Sequence, residues 1–162
     1  MKKPEKDNKN KSDKYRRAVF GVAYSINPEG KNKIEYILLK RKKHWKGWEF
    51  PKGKIERFET KKKAAIREVQ EETGRKVLKI KRFKERGIYL YHKKLWDRPD
   101  KVGQTYQLFA LQVEKGDGKV RMDKIEHNGY KWVGFKEAQK MLTWSNQKRC
   151  LKIVNDWLIK KR

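Results

Sequence analysis

Three carboxylates, Glu68, Glu71 and Glu72, stand at i, i+3 and i+4 in the stretch GKIERFETKKKAAIREVQEETG that runs from Gly53 to Gly74. On a helix that spacing puts all three on one face. Like charges so placed repel by roughly 0.2–0.5 kcal/mol per pair, so the helix gains nothing from them unless a cation sits among them. A divalent metal ion is such a cation. Hard oxygen ligands with room left for water and phosphate oxygens suit Mg²⁺ or Mn²⁺ better than zinc. An acidic run can equally be a solvated helix face, and the cluster alone does not separate the two readings.

The elements that must carry these groups can be read from patterning. A helix is expected from Thr60 to Thr73, with Ala65, Ile66 and Val69 on one side. Two further helices are expected at Phe135–Leu142 and Asn146–Leu158, the latter with Ser145 as N-cap. Strand-like runs are AVFGVAYSI from Ala18, IEYILLK, RGIYLYH, QTYQLFALQV and the shorter YKWV. Interleaved strands and helices predict an α/β fold, a mixed β-sheet with helices packed on its faces, without repeats. Residues 1–16 are expected to form a flexible basic tail, since MKKPEKDNKNKSDK lacks aromatic and branched apolar side chains after Met1. Residues 17–162 then form one domain.

A chain of 162 residues suits a single domain with a real core. Its 46 Lys+Arg against 20 Asp+Glu give a net charge of +26, a field that draws polyanions such as nucleotides or RNA. Lysine enrichment can also follow genome composition or a hot habitat. A single cysteine excludes an internal disulfide, and no apolar run resembles a signal peptide or membrane span, so a cytoplasmic enzyme is expected. Cys150 falls in the helical stripe Cys150, Ile153, Val154, Trp157, Leu158 and is read as core.

The stretch from Gly53 to Gly74 resembles the Nudix box, G-x5-E-x7-R-E-U-x-E-E-x-G-U with U a large apolar residue. Gly53, Glu59, Arg67, Glu68, Val69, Glu71, Glu72 and Gly74 match, and the final U is Arg75, with Val77 available for the missing apolar contact. The resemblance implies the Nudix fold, a mixed sheet sandwiched between α-helices, and hydrolysis of a nucleoside polyphosphate by a metal-activated water. It implies Glu68 and Glu72 as main metal ligands, with Glu71 and the backbone carbonyl of Lys52 completing the shell. Arg67 orients the glutamates and Glu59 is its structural partner, consistent with the rigid fork of a guanidinium. Glu126, outside the box, is the candidate base. Gly53 and Gly74 allow backbone shapes that a side chain would obstruct.

Pro51-Lys52-Gly53 is similar to the triplet of diadenosine tetraphosphate hydrolases and of mRNA-decapping enzymes, which implies a phosphate contact for the Lys52 side chain. EHNGYKWVGFKEAQKML resembles the E-H-x-x-Y-x-W-x-x-x-E-A stretch of the asymmetric diadenosine tetraphosphate hydrolases. By that likeness Trp144 stacks on adenine, with Tyr91 or Tyr89 as the opposite wall. A histidine of the animal enzymes is replaced by Gly47, leaving His44, Lys43 or Lys46 as substitutes, while His92 and His127 are expected to play no catalytic part. The expected reaction is diadenosine tetraphosphate to ATP and AMP. The alternatives are an RNA 5′-end pyrophosphohydrolase or decapping enzyme, and a silent RNA-binding module, against which the intact carboxylate set argues.

Overall fold

The structure, a computed structural model, describes residues 14–116, 118, 120, 121 and 125–161. Strands β1 (Tyr15–Asn27), β2 (Lys33–Arg41), β3 (Gly47–Glu49) and β4 (Lys52–Lys54) precede helix α1 (Lys61–Thr73). Then come β5 (Val77–Leu90), β6 (Gly103–Val113), β7 (His127–Val133), α2 (Phe135–Met141) and α3 (Ser145–Lys160). The sheet runs β3-β2-β1-β6-β5, with β4 paired to β1 and β7 to β2. Only the β1–β6 pairing is parallel among these, so the sheet is mixed as expected.

Alternation along the central strands divides the core in two. Val19 and Ala23 of β1, Ile37 and Leu39 of β2, and Phe109 and Leu111 of β6 pack with Ala64, Ala65 and Val69 of α1. Phe20, Val22, Tyr36, Leu38 and Leu108 face the other way, against Cys150, Leu151, Val154 and Leu158 of α3. Helices thus cover both faces, the sandwich that the sequence implies. Cys150 is fully buried in its stripe, and burial pushes its thiol up to about 12.

Helix α1 begins where Thr60 caps it, its hydroxyl accepting from Lys63 N–H at 3.2 Å. It stops at Gly74, whose φ of 65° is left-handed and whose N–H donates to the Gln70 carbonyl. The first turn carries Lys61, Lys62 and Lys63 and no acid, against the helix dipole. Val77 packs against the core beside α1, supplying the apolar contact that Arg75 cannot.

Several boundaries differ from expectation. β1 starts at Tyr15, so Tyr15 and Arg16 belong to the sheet rather than to a tail ending at residue 16; residues 1–13 lie outside the described residues. Trp144, not Ser145, is the N-cap of α3, and it makes no side-chain capping bond; Ser145 is the first helical residue. β5 is much longer than RGIYLYH. Register shifts at Val77/Lys79 and Arg82/Arg86 break its alternation, so Val77, Ile80 and Phe83 recur every third residue and hide the strand.

Candidate active site

The carboxylates gather where α1 passes β4 and the start of β7. Gly53 lies under Glu68 so closely that a Cβ there would fall 2.0 Å from the Glu68 carboxyl carbon, which is why no side chain fits. Glu72 is buried and accepts from the Lys52 backbone N–H at 3.2 Å. Lys52 thus meets the cluster through its backbone N–H. Ligand atoms of Glu72, Glu126 and His127 lie within 4.8 Å of one another.

Arg67 organises the outer side of the cluster. Its Nε and Nη2 donate to Glu59 at 2.8 and 2.9 Å, its Nη1 to Glu68 at 2.7 Å and Glu71 at 3.2 Å, and its Nη2 also to the Lys54 carbonyl at 2.8 Å. All five guanidinium protons are used. Glu59 is held down at about 2, chiefly by these bonds. The Glu71 side chain stays 61% exposed with Arg67 as its ion-pair partner, on the same helix face as Glu68 and Glu72.

Burial pushes the Glu68 carboxyl up to about 7, with Arg67 opposing and the charges of Glu71 and Glu126 adding to the rise. Glu72 is raised well above the ordinary carboxylate range by burial and by Glu49, Glu68 and Glu126. Such a group of acids favours a cation among them. The His127 ring contributes a further orphan: Nε2 is 2.8 Å from Glu49 Oε1, while Nδ1 is buried without a partner. Oxygen donors in this number fit a hard divalent ion.

A cleft of about 420 Å³ opens from the cluster, lined by Glu68, Glu126, Lys52, Tyr89, Tyr91 and Trp144 among others. The structure thus brings together on one cleft most of the side chains singled out from sequence. Trp144 is 38% exposed and meets Trp45 edge to face, ring centroids 5.2 Å apart. Tyr89 and Tyr91 are edge to face at 6.3 Å. His44 also lines the cleft, in a left-handed backbone conformation with φ 71°, its Nε2 3.3 Å from Asp97. Burial lowers its pKa and Asp97 opposes the shift. Lys43 leans on the same Asp97, whereas Lys46 lines a neighbouring groove. His92 is exposed, 6.2 Å from Trp144.

Sequence reasoning missed Glu49. Its fully buried carboxylate receives Arg41 Nη1 at 3.0 Å, meets His127, and holds Lys52 Nζ at 3.3 Å. Burial alone would raise its pKa, but Lys52, His127 and Arg41 together hold it at about 2. Burial likewise opposes the Lys52 charge, and Glu49 more than offsets it. Arg41 Nη1 is also 3.5 Å from Glu126, so one guanidinium links the buried acid to the candidate base. An acid inside the apolar run WEF was the available signal, since a carboxylate there must be paired when buried.

The fold is a mixed sheet between helices, with an acidic helix face bordering a cleft of about 420 Å³. Residues 14–152 match the NUDIX domain family, and the chain belongs to the Nudix hydrolase family. It is 31% identical over 135 residues to an RNA pyrophosphohydrolase of a Nitratiruptor species, covering 81% of this chain and 85% of that one. It is 30% identical over 128 residues to an asymmetrical bis(5′-nucleosyl)-tetraphosphatase of Sus scrofa, covering 77% and 81%. A C. elegans Ap4A hydrolase binary complex shares the fold at TM-score 0.65 and 23% identity, over 90% of this chain and 98% of that one. Among the described residues no helix is long and apolar enough to cross a membrane.

Proposed function

We propose that this Nudix hydrolase cuts diadenosine tetraphosphate off-centre, giving ATP and AMP, with Mg²⁺ (or Mn²⁺) as its cofactor. The observation that carries the reading is the sharing of one cleft by Glu68, Glu126, Lys52 and three aromatic residues suited to a base, Tyr89, Tyr91 and Trp144. A base held by Trp144, with Tyr91 or Tyr89 opposite, fixes the phosphate chain, so a single phosphorus is presented to the attacking water.

Glu68 and Glu72, with Glu71 and the Lys52 carbonyl completing the shell, would hold the metal, which when bound lowers the pKa of water and neutralises charge on phosphate oxygens. Arg67 keeps Glu68 in one orientation and is itself fixed by Glu59. Lys52, steadied by Glu49, places its ammonium in the cleft where a phosphate oxygen would lie. Glu126, tethered by Arg41, accepts the proton of the attacking water.

An RNA 5′-end pyrophosphohydrolase is the second reading, favoured by the net charge of +26 and by the similarity to an RNA pyrophosphohydrolase. Hydrolysis of diadenosine tetraphosphate with Mg²⁺ in ¹⁸O-labelled water tests the first reading. ATP and AMP as products support it; two molecules of ADP refute it.

A further inference from the structure

A second groove of about 420 Å³ adjoins the cleft and shares His44, Trp45 and Leu95 with it. Its remaining lining is Lys42, Lys46, Lys93, Lys94 and Trp96. Among the described residues no carboxylate lines it. The nearest acid in sequence, Asp97, is engaged by Lys43, His44 and Arg98. Trp96 is 79% exposed, and its only described ring contacts are the Lys43 ammonium, 5.7 Å from the ring centroid, and the tilted His44 ring at 6.3 Å between centroids. Leaving so large an apolar ring in water in a groove lined by four lysines gains the fold nothing, whereas an aromatic platform in a cationic groove is what an unpaired nucleic acid strand requires.

We propose that this groove binds single-stranded RNA leading out of the cleft. The second nucleoside of a dinucleotide would bring a base for Trp96 but no phosphates beyond those already at the carboxylates. A strand brings one phosphate per nucleotide, enough for the four lysines that line the groove. The proposal rests on the cleft being a site for the nucleotide end of a substrate, and it adds a second, sequence-tolerant contact that no dinucleotide needs.

The test is binding of a 3′-fluorescein-labelled eight-nucleotide RNA with a 5′-monophosphate to the full chain in EDTA, followed by anisotropy at several salt concentrations. Trp96→Ala is expected to weaken binding by roughly 5- to 150-fold, the usual effect of losing one stacked base. Lys93→Ala/Lys94→Ala is expected to reduce the slope of log K against log salt by about 1.4, two phosphate contacts on a single strand. Both variants should keep the wild-type near-ultraviolet spectrum and cut diadenosine tetraphosphate within about twofold of wild type. Wild-type affinity and slope in both variants would overturn the proposal. So would binding lost only when residues 1–13 are removed, or a parallel loss of dinucleotide hydrolysis in spectrally intact variants. A wild-type chain that leaves the dinucleotide uncut while the two variants lose RNA binding would refute the substrate assignment and support the groove.

Discussion

Arg67 and Glu59 meet through two parallel hydrogen bonds, Nε to Oε2 at 2.8 Å and Nη2 to Oε1 at 2.9 Å, which fixes the plane of the guanidinium. From that plane the remaining nitrogen positions reach Glu68, Glu71 and the Lys54 carbonyl. A lysine keeps the charge but not the fork. Arg67→Lys is therefore expected to lower kcat by about 10- to 100-fold, as when a ligand's supporting partner is lost. Steady-state kinetics with saturating Mg²⁺ checks this, and unchanged kcat would mean that Glu68 orients itself.

Glu68→Gln and Glu72→Gln each remove a charged oxygen from the cluster and leave packing alone. Turnover is expected to be abolished while the thermal transition stays cooperative. Glu126→Gln should cost about 10²- to 10⁴-fold, the range for losing a general base. A Glu126→Gln rate within twofold of wild type would remove that residue from the chemistry.

Glu49 holds two buried cations, Arg41 and Lys52, and breaking such a set leaves them uncompensated. Glu49→Gln is expected to destabilise the fold by about 3–5 kcal/mol. Because its folded pKa of about 2 lies below the ordinary 4.5, its stabilisation is complete above pH 4.5 and is lost as pH falls towards 2. Chemical denaturation from pH 7 down to pH 2 reads this directly: the stability gap between wild type and Glu49→Gln should shrink across that window. A gap independent of pH would show that the Glu49 charge is not what stabilises.

Trp144→Ala tests the base site. Losing one stacked base is worth roughly 1–3 kcal/mol, about 5- to 150-fold, and should be seen in KM rather than kcat if Trp144 binds ground and transition states alike. No change in either constant would return Trp144 to a packing role against Trp45.

The catalytic helix was readable because its signals are local. Thr60 caps it, Gly74 ends it, and Glu68, Glu71 and Glu72 are placed by helical spacing alone. The central strands were readable as apolar runs because both of their faces are buried, as in β1 from Ala18 to Tyr24. What could not be read depends on long-range pairing. The register shifts in β5 scramble its period, and the short strands β3 and β4 exist only because Trp48 pairs with Lys40 and Gly53 with Val19. Glu49 and His127 are 78 residues apart, so nothing in either neighbourhood announces their contact. Spacing places Glu71 on the acidic face, but its ion pair with Arg67 depends on the folded helix and could not be read.

The most direct test of the substrate reading is kcat/KM for diadenosine tetraphosphate against a 5′-triphosphorylated RNA, measured side by side at low and high salt. A base clamped near Trp144 with its phosphates on Lys52 predicts that the dinucleotide is preferred at both salts, while RNA efficiency falls steeply as salt rises. A clear preference for RNA at both salt concentrations would contradict the account and assign the cleft to RNA 5′ ends.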